Sequence, residues 1–258
     1  MQDEWAAANG SFPGYNCRIT AFGLFSEFIT AGADQPEVQG EDSLFTDLET
    51  VDADPDALCG DSTAKFCALL APVNAADSTE VEAQVKALQE GWAARGIAFA
   101  DSRASMISVV FHDKFSDEDN TLFIGHVGML LPAEDGSLYF IEKVAFQEPY
   151  RLVKIQNRME LSDYLMEKYD TSWGQDTTRP FIMENDTLMD GYRPTLWRQQ
   201  TPKIETAAGW HCHSAAVCRN KAMSCVSGSK NKWLFLLIPN IPLFARNRRG
   251  LLAVVSIR

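Results

Sequence analysis

Cys17, His126 and Glu142 are the residues whose types and surroundings fit thiol-dependent acyl transfer. That chemistry needs a cysteine held as thiolate, a histidine that serves first as base and then as acid, and a polar group that orients the ring. A helix N-terminus meets the first need, because its unpaired N–H groups and dipole favour negative charge there. The same N–H groups can hold the oxyanion of a tetrahedral intermediate. Cys17 follows Asn16, a good N-cap, and opens a segment in which Ile19, Phe22, Phe25, Phe28 and Ile29 recur at helical spacing. The spacing predicts a buried helix over 17–29 with the thiol in its first turn. Tyr15, Asn16 and Arg18 beside it are the candidate substrate or oxyanion contacts.

The base must come from elsewhere in the chain, which holds four histidines. His211 and His213 lie in a basic C-terminal stretch, and His112, at a strand exit beside Asp113 and Lys114, reads as a solvated residue. His126 sits mid-strand between Gly125 and Gly128, where small neighbours leave room for a substrate and for the helix end that bears the thiol. Downstream, Pro132 to Gly136 reads as a hairpin loop that pairs Leu131 with Ser137 and sets His126 directly opposite Glu142. A slip of one residue would move Glu142 to the other face, turn Lys143 toward the histidine and leave Gln147 as a substitute. Plainer readings stand beside these: a small buried thiol, and a cross-strand polar pair.

The elements that must position these residues follow in a simple order. Residues 31–76 read as an irregular surface stretch with short helices around Leu44–Leu48 and Lys65–Leu70. Asp77 and Glu80 resemble a capping box ahead of a helix whose apolar face is Val81, Val85, Leu88 and Trp92, ending near Gly96. Strands are expected over 105–111, 122–131, 138–146, 151–155 and 181–183, with a helix capped by Asn157 and lined by Leu161, Leu165 and Met166. Helices first, then a mostly antiparallel sheet, make an α+β protein.

Bulk properties narrow the partners. With 46% apolar residues the 258-residue chain can build a real core, and its net charge of -12 disfavours nucleic acid, which demands clustered cations. The charge is uneven: residues 201–258 carry nine Lys or Arg and one acid, leaving 14 basic and 34 acidic residues in 1–200. The start, Met1 to Trp5, lacks a secretory signal, so the chain as written is expected in the cytoplasm. No transmembrane segment is expected, because the apolar run from Trp233 to Phe244 is short and broken by Pro239 and Pro242. The six cysteines are expected as free thiols, with a Cys59–Cys67 bridge not required. His211, His213, Cys218 and Cys225 lack zinc-site spacing, so no metal and no cofactor is expected.

Four blocks carry a resemblance. Gly14-Tyr15-Asn16-Cys17-Arg18-Ile19-Thr20-Ala21-Phe22, Phe123-Ile124-Gly125-His126-Val127-Gly128, the run from Phe140 to Tyr150, and Pro180 to Asp186 resemble the signature blocks of an uncharacterised bacterial family, domain of unknown function 4300. Its members are often lipoproteins. The resemblance runs from about Trp5 to Pro194 and implies exported, surface-anchored relatives; it makes Met1 look like an internal or truncated start. More distantly the Cys helix and His strand resemble cell-wall amidases and peptidases of the NlpC type, which implies a papain-like fold and a peptide or cell-wall fragment as substrate or ligand. The expected organisation is a domain over 1–196 and a basic extension over 197–258 outside it, of the kind that translation out of frame would produce. The expected activity is amide hydrolysis, against the alternative of a non-catalytic surface-binding domain that keeps the fold.

Overall fold

The computed structural model describes residues 7, 14–32, 41–54, 56–58, 62–171, 176–195, 243–246 and 252–255. They fall into two units, Met1–Thr195 and Leu196–Arg258. The first unit opens with α1 (Cys17–Phe25), the short strand β1 (Ile29–Thr30), α2 (Phe45–Ala53), α3 (Thr63–Leu70), β2 (Val73–Asn74) and α4 (Val81–Ala94). After β3 (Ala98–Phe99) come β4 (Ser105–Lys114), β5 (Asn120–Pro132), β6 (Leu138–Lys143) and β7 (Tyr150–Ile155), then α5 (Arg158–Tyr169), β8 (Phe181–Glu184) and β9 (Thr187–Leu188). The large sheet runs β7-β6-β5-β4-β8-β9, with β2 also paired to β5, and its ladders are antiparallel. Helices followed by an antiparallel sheet are the α+β arrangement that the sequence pattern implies.

Each face of the sheet buries its own apolar layer. On one, Ile19, Phe22, Phe66 and Trp92 pack with Met106, Val110, Leu122, Ile124 and Val127. On the other, Leu161, Leu165 and Met166 of α5 pack with Ile107, Val109, Leu130 and Phe140. Burial of this kind, at about 25 cal/mol per Å² of apolar surface, is what holds α1 and α5 against opposite sides of β5.

Between those layers β5 changes its parity. Val109 pairs with His126 but Val110 pairs with Ile124, so Gly125 is an extra residue, a β-bulge. Strict alternation would put His126 on the side of Leu122 and Ile124. The bulge instead gives that side to Val127 and turns His126 toward the α5 side with Leu130. The glycines beside the histidine do not make room for a substrate, as their small size suggests. A Cβ on Gly125 would lie 2.5 Å from the Phe111 ring, and one on Gly128 would lie 2.5 Å from Phe140 and 2.7 Å from the Ile141 carbonyl. Aromatic rings already fill both spaces. Because Gly128 faces fixed backbone as well as a ring, Gly128→Ala is expected to cost about 1–3 kcal/mol, read as a lower denaturation midpoint at constant slope.

The hairpin differs from its sequence reading by two residues. Pro132 pairs with Leu138 and Leu131 with Tyr139, and the loop Ala133–Ser137 closes through Ala133 N–H to Ser137 O at 2.8 Å, with Gly136 at φ +83°. Glu142 therefore lies opposite Gly128 and diagonal to His126. A shift of two keeps the face, so Glu142 stays with the histidine and Lys143 points away.

Other local readings need correction. The helix from Cys17 stops at Phe25 and continues as a 3₁₀ turn, Ser26–Phe28. Glu80 holds the N-cap position of α4 without a side-chain cap, and its N–H donates to Ser78 Oγ at 3.1 Å, so Asp77 is not the cap. Within 31–76, α3 is no surface piece: Phe66, Cys67, Ala68, Leu69 and Leu70 are all buried.

Thr195 is tied to the body at both backbone ends, its N–H donating to Asp170 Oδ2 at 2.7 Å and its carbonyl accepting from Arg179 Nη2 at 2.8 Å. Truncation after Trp197 retains both ties. It is expected to leave the melting temperature nearly unchanged; a large drop in a thermal melt would contradict placing 197–258 outside the domain.

In the second unit, β10 (Leu243–Arg246) and β11 (Leu252–Val255) pair antiparallel, Leu243 with Val255 and Arg246 with Leu252. His211, His213, Cys218 and Cys225 lie outside the described residues, as does Cys59 of the bridge considered above.

Candidate active site

The site begins at the first turn of α1. Asn16 is extended (φ -96°, ψ -169°) and caps it, its Oδ1 accepting the Ile19 N–H and its carbonyl the Thr20 N–H, both at 3.1 Å. Of the first-turn donors, those of Cys17 and Arg18 have no acceptor within the helix. The side chains around the thiol turn to α2. Asn16 Nδ2 donates to Asp47 Oδ1 at 2.6 Å, Arg18 pairs with Asp47 Oδ2 at 2.6 Å, and Tyr15 O–H donates to Asp54 Oδ2 at 2.6 Å. Asp47, whose side chain is fully buried, thus anchors the residues on both sides of Cys17. Backbone N–H groups, rather than the Asn16 or Arg18 side chains, are what this helix end leaves for an oxyanion.

Cys17 meets the sheet where a gap opens. The last pair between β5 and β6 is Gly128 with Glu142, and just beyond it the Val127 backbone acts on the Cys17 thiol and lowers it. The thiol and the His126 ring also act on each other, each favouring the other's charged form. On the ring's far side Nε2 is 2.7 Å from Glu142 Oε2, which leaves Nδ1 for the thiol. The other carboxylate oxygen, Oε1, accepts from Tyr164 O–H on α5. Tyr169, on the same helix, stacks on the imidazole with centroids 4.9 Å apart and planes 24° apart, and Phe140 meets it edge-on at 6.5 Å. Contacts on both nitrogens and on the ring face hold one rotamer.

The electrostatics shift the thiol and the imidazole toward opposite charges. Burial pushes the Cys17 thiol up, but the hydrogen bond and charge of His126, the Val127 N–H and the Arg18 guanidinium outweigh it and bring the thiol below its ordinary value. Burial pushes His126 down, yet its hydrogen bonds to Cys17 and Glu142 lift it above the ordinary imidazole value. Glu142 is likewise raised by burial and lowered further by His126 and Tyr164, so it stays ionised. For Tyr164, burial and the Glu142 carboxylate push the phenol up to about 12, which keeps it a donor.

His112 is not the solvated residue its neighbours suggest. It is 7% exposed; its Nδ1 accepts the Thr178 N–H at 2.9 Å, and its Nε2 is 2.6 Å from Asn120 Oδ1. A backbone N–H on Nδ1 fixes the proton on Nε2, so this ring ties β4 to β5 and to the segment before β8.

Three further parts of the site come from α5 and α2. Tyr164, Tyr169 and Asp47 could be sought in the sequence only as polar residues flanking apolar helical stripes, which is a weak signal.

A family model described as a domain of unknown function matches residues 1–189, nearly three quarters of the chain. The chain belongs to the DUF4300 family. Cys17, Asp47, His126, Glu142, Tyr164 and Tyr169 all fall inside the part that defines DUF4300. Neither the curated proteins nor the solved structures give a match. Among the described residues of this DUF4300 chain, no group of three or more His, Cys, Asp or Glu could hold a metal ion, and no helix is long and apolar enough to cross a membrane.

Proposed function

We propose that this protein is a thiol-dependent amide hydrolase with a papain-like, NlpC-type arrangement, acting on peptides such as cell-wall fragments. The observation that carries the reading is the hydrogen-bonded row His126–Glu142–Tyr164 beside a cysteine at a helix N-terminus whose ionisation His126 favours. Cys17 as thiolate attacks the scissile carbonyl carbon, and the oxygen takes the negative charge in front of the Cys17 and Arg18 N–H groups. Collapse of that intermediate breaks the C–N bond while the His126 imidazolium gives its proton to the departing amine. The neutral ring then takes a proton from water, whose oxygen attacks the thioester, and the acid leaves with the thiolate restored. Glu142 holds the ring in place and stabilises its cation throughout.

One observation favours the second reading, a binding domain that keeps the fold without turnover: Cys17 is only 8% exposed. Acyl transfer to the thiol separates the two. Mixed with p-nitrophenyl acetate, the full chain is expected to release a burst of one nitrophenolate per molecule and to carry an acetyl group on Cys17 by mass spectrometry. A burst absent from the native chain, or retained in Cys17→Ala, would favour the binding domain.

A further inference from the structure

The acidic body carries two exposed cations on the elements that flank the buried His126 and Glu142. Arg151 is the register partner of Glu142 on β7, so its side chain leaves the sheet on the same face as Glu142 and, through the diagonal, His126. Its guanidinium is 42% exposed and contacts Glu148 through one nitrogen at 3.3 Å. Lys168 lies one helical turn after Tyr164 on α5, with its Nζ 4.9 Å from the centre of the Tyr169 ring, the ring that stacks on His126. Lys168 is exposed and makes no ion pair among the described residues. The charges of Cys17, Glu142, Glu148 and Arg151 all act on it. The carboxylates whose charges act on Lys168 are Glu142, which is committed to His126 and Tyr164, and Glu148, which Arg151 already meets.

Two cations with donors to spare, set on the strand and the helix that carry the partners of His126, form a receptor for an anion on a strongly acidic protein. We propose that Lys168 and Arg151 bind a carboxylate of the substrate, so that the preferred amide bond lies next to a residue carrying a free carboxylate. This rests on the thiol-hydrolase reading and names its substrate class. An aromatic floor under Lys168 and a strand partner under Arg151 place both charges on rigid elements, which suits recognition of a short anionic group.

Alkylation of Cys17 with a matched pair of reagents tests this without knowledge of the substrate. Iodoacetate carries a carboxylate and iodoacetamide does not, while both react with the same thiolate, so their rate ratio cancels any change in thiol ionisation. On the full chain, with labelling at Cys17 read by peptide mass spectrometry, the iodoacetate-to-iodoacetamide ratio is expected to exceed that of a small model thiol. It is expected to fall by roughly three- to tenfold in Lys168→Gln, to fall further in Lys168→Gln with Arg151→Gln, and to return in Lys168→Arg. Added salt should shrink the ratio in the native chain more than in the double variant. If both reagents label Cys17 and the ratio ignores these substitutions, the carboxylate site is overturned and the hydrolase reading stands. If neither reagent labels Cys17, the thiolate itself is overturned and the carboxylate site with it.

Discussion

In His126→Ala, alkylation of Cys17 by iodoacetamide at about pH 6 is expected to slow roughly a hundredfold. The alanine removes the hydrogen bond and the cation that hold the thiol below its ordinary value, and it leaves in force the burial that raises it. An unassisted thiol with a pKa of about 8.5 is ionised to well under one part in a hundred at that pH. A thiolate of lower pKa is a somewhat weaker nucleophile, which trims the contrast without cancelling it. Glu142→Gln keeps the ring and removes only the charge behind it, so its effect should be smaller and of the same sign. An unchanged rate in His126→Ala would mean that the helix end alone ionises Cys17.

The second large effect concerns stability. Arg18→Met is expected to cost about 3–5 kcal/mol, because it strips the guanidinium from a fully buried Asp47 carboxylate and leaves that group with Asn16. Arg18→Met combined with Asp47→Leu should cost less than Arg18→Met alone, since no unpaired charge is then left buried. The pH dependence has a definite sign. Burial raises the Asp47 carboxyl above its ordinary value even with Arg18 beside it, so its neutral form is the better tolerated one in the fold. Its stabilising contribution is present at low pH and lost as pH rises through the folded pKa. Without Arg18 that pKa moves higher, so the deficit of Arg18→Met should grow toward neutral pH and shrink in acid. Denaturant midpoints across pH measure it; a cost of a few tenths of a kcal/mol would contradict the anchoring role of Asp47.

Local chemistry made much of this site legible. Asn16 and Asn157 cap the helices that their neighbours' periodicity implies, and the strand pair carrying His126 and Glu142 follows from alternation around one turn. Even the hairpin shift preserves the outcome, because an even slip leaves a side chain on its face. Three features were not legible. The bulge at Gly125 depends on a mismatch between β4 and β5 that neither strand shows alone. Asp47 lies 31 residues from Asn16 in a stretch rich in Asp, Pro, Gly and Ala, and its burial is set by α1 and not by its own neighbours. Tyr164 and Tyr169 flank the Leu161–Leu165–Met166 stripe of α5, where a polar aromatic reads as a helix edge until the opposite strand is known.

An ion pair between Cys17 and His126 has a bounded pH window. The depressed Cys17 thiol contributes stability above its unfolded pKa and loses it as pH falls through the folded value; the elevated His126 contributes fully below its unfolded pKa and loses it as pH rises through the folded one. Thiolate and imidazolium coexist where the lowered thiol has ionised and the raised ring still holds its proton, and there the first step of the proposed reaction is poised. The ultraviolet absorbance of the Cys17 thiolate, taken as the difference between the native chain and Cys17→Ser across pH, reads that state directly. The pair predicts a midpoint clearly below the ~8.5 of an ordinary cysteine, displaced upward in His126→Ala. A midpoint at or above the ordinary value in the native chain would contradict it.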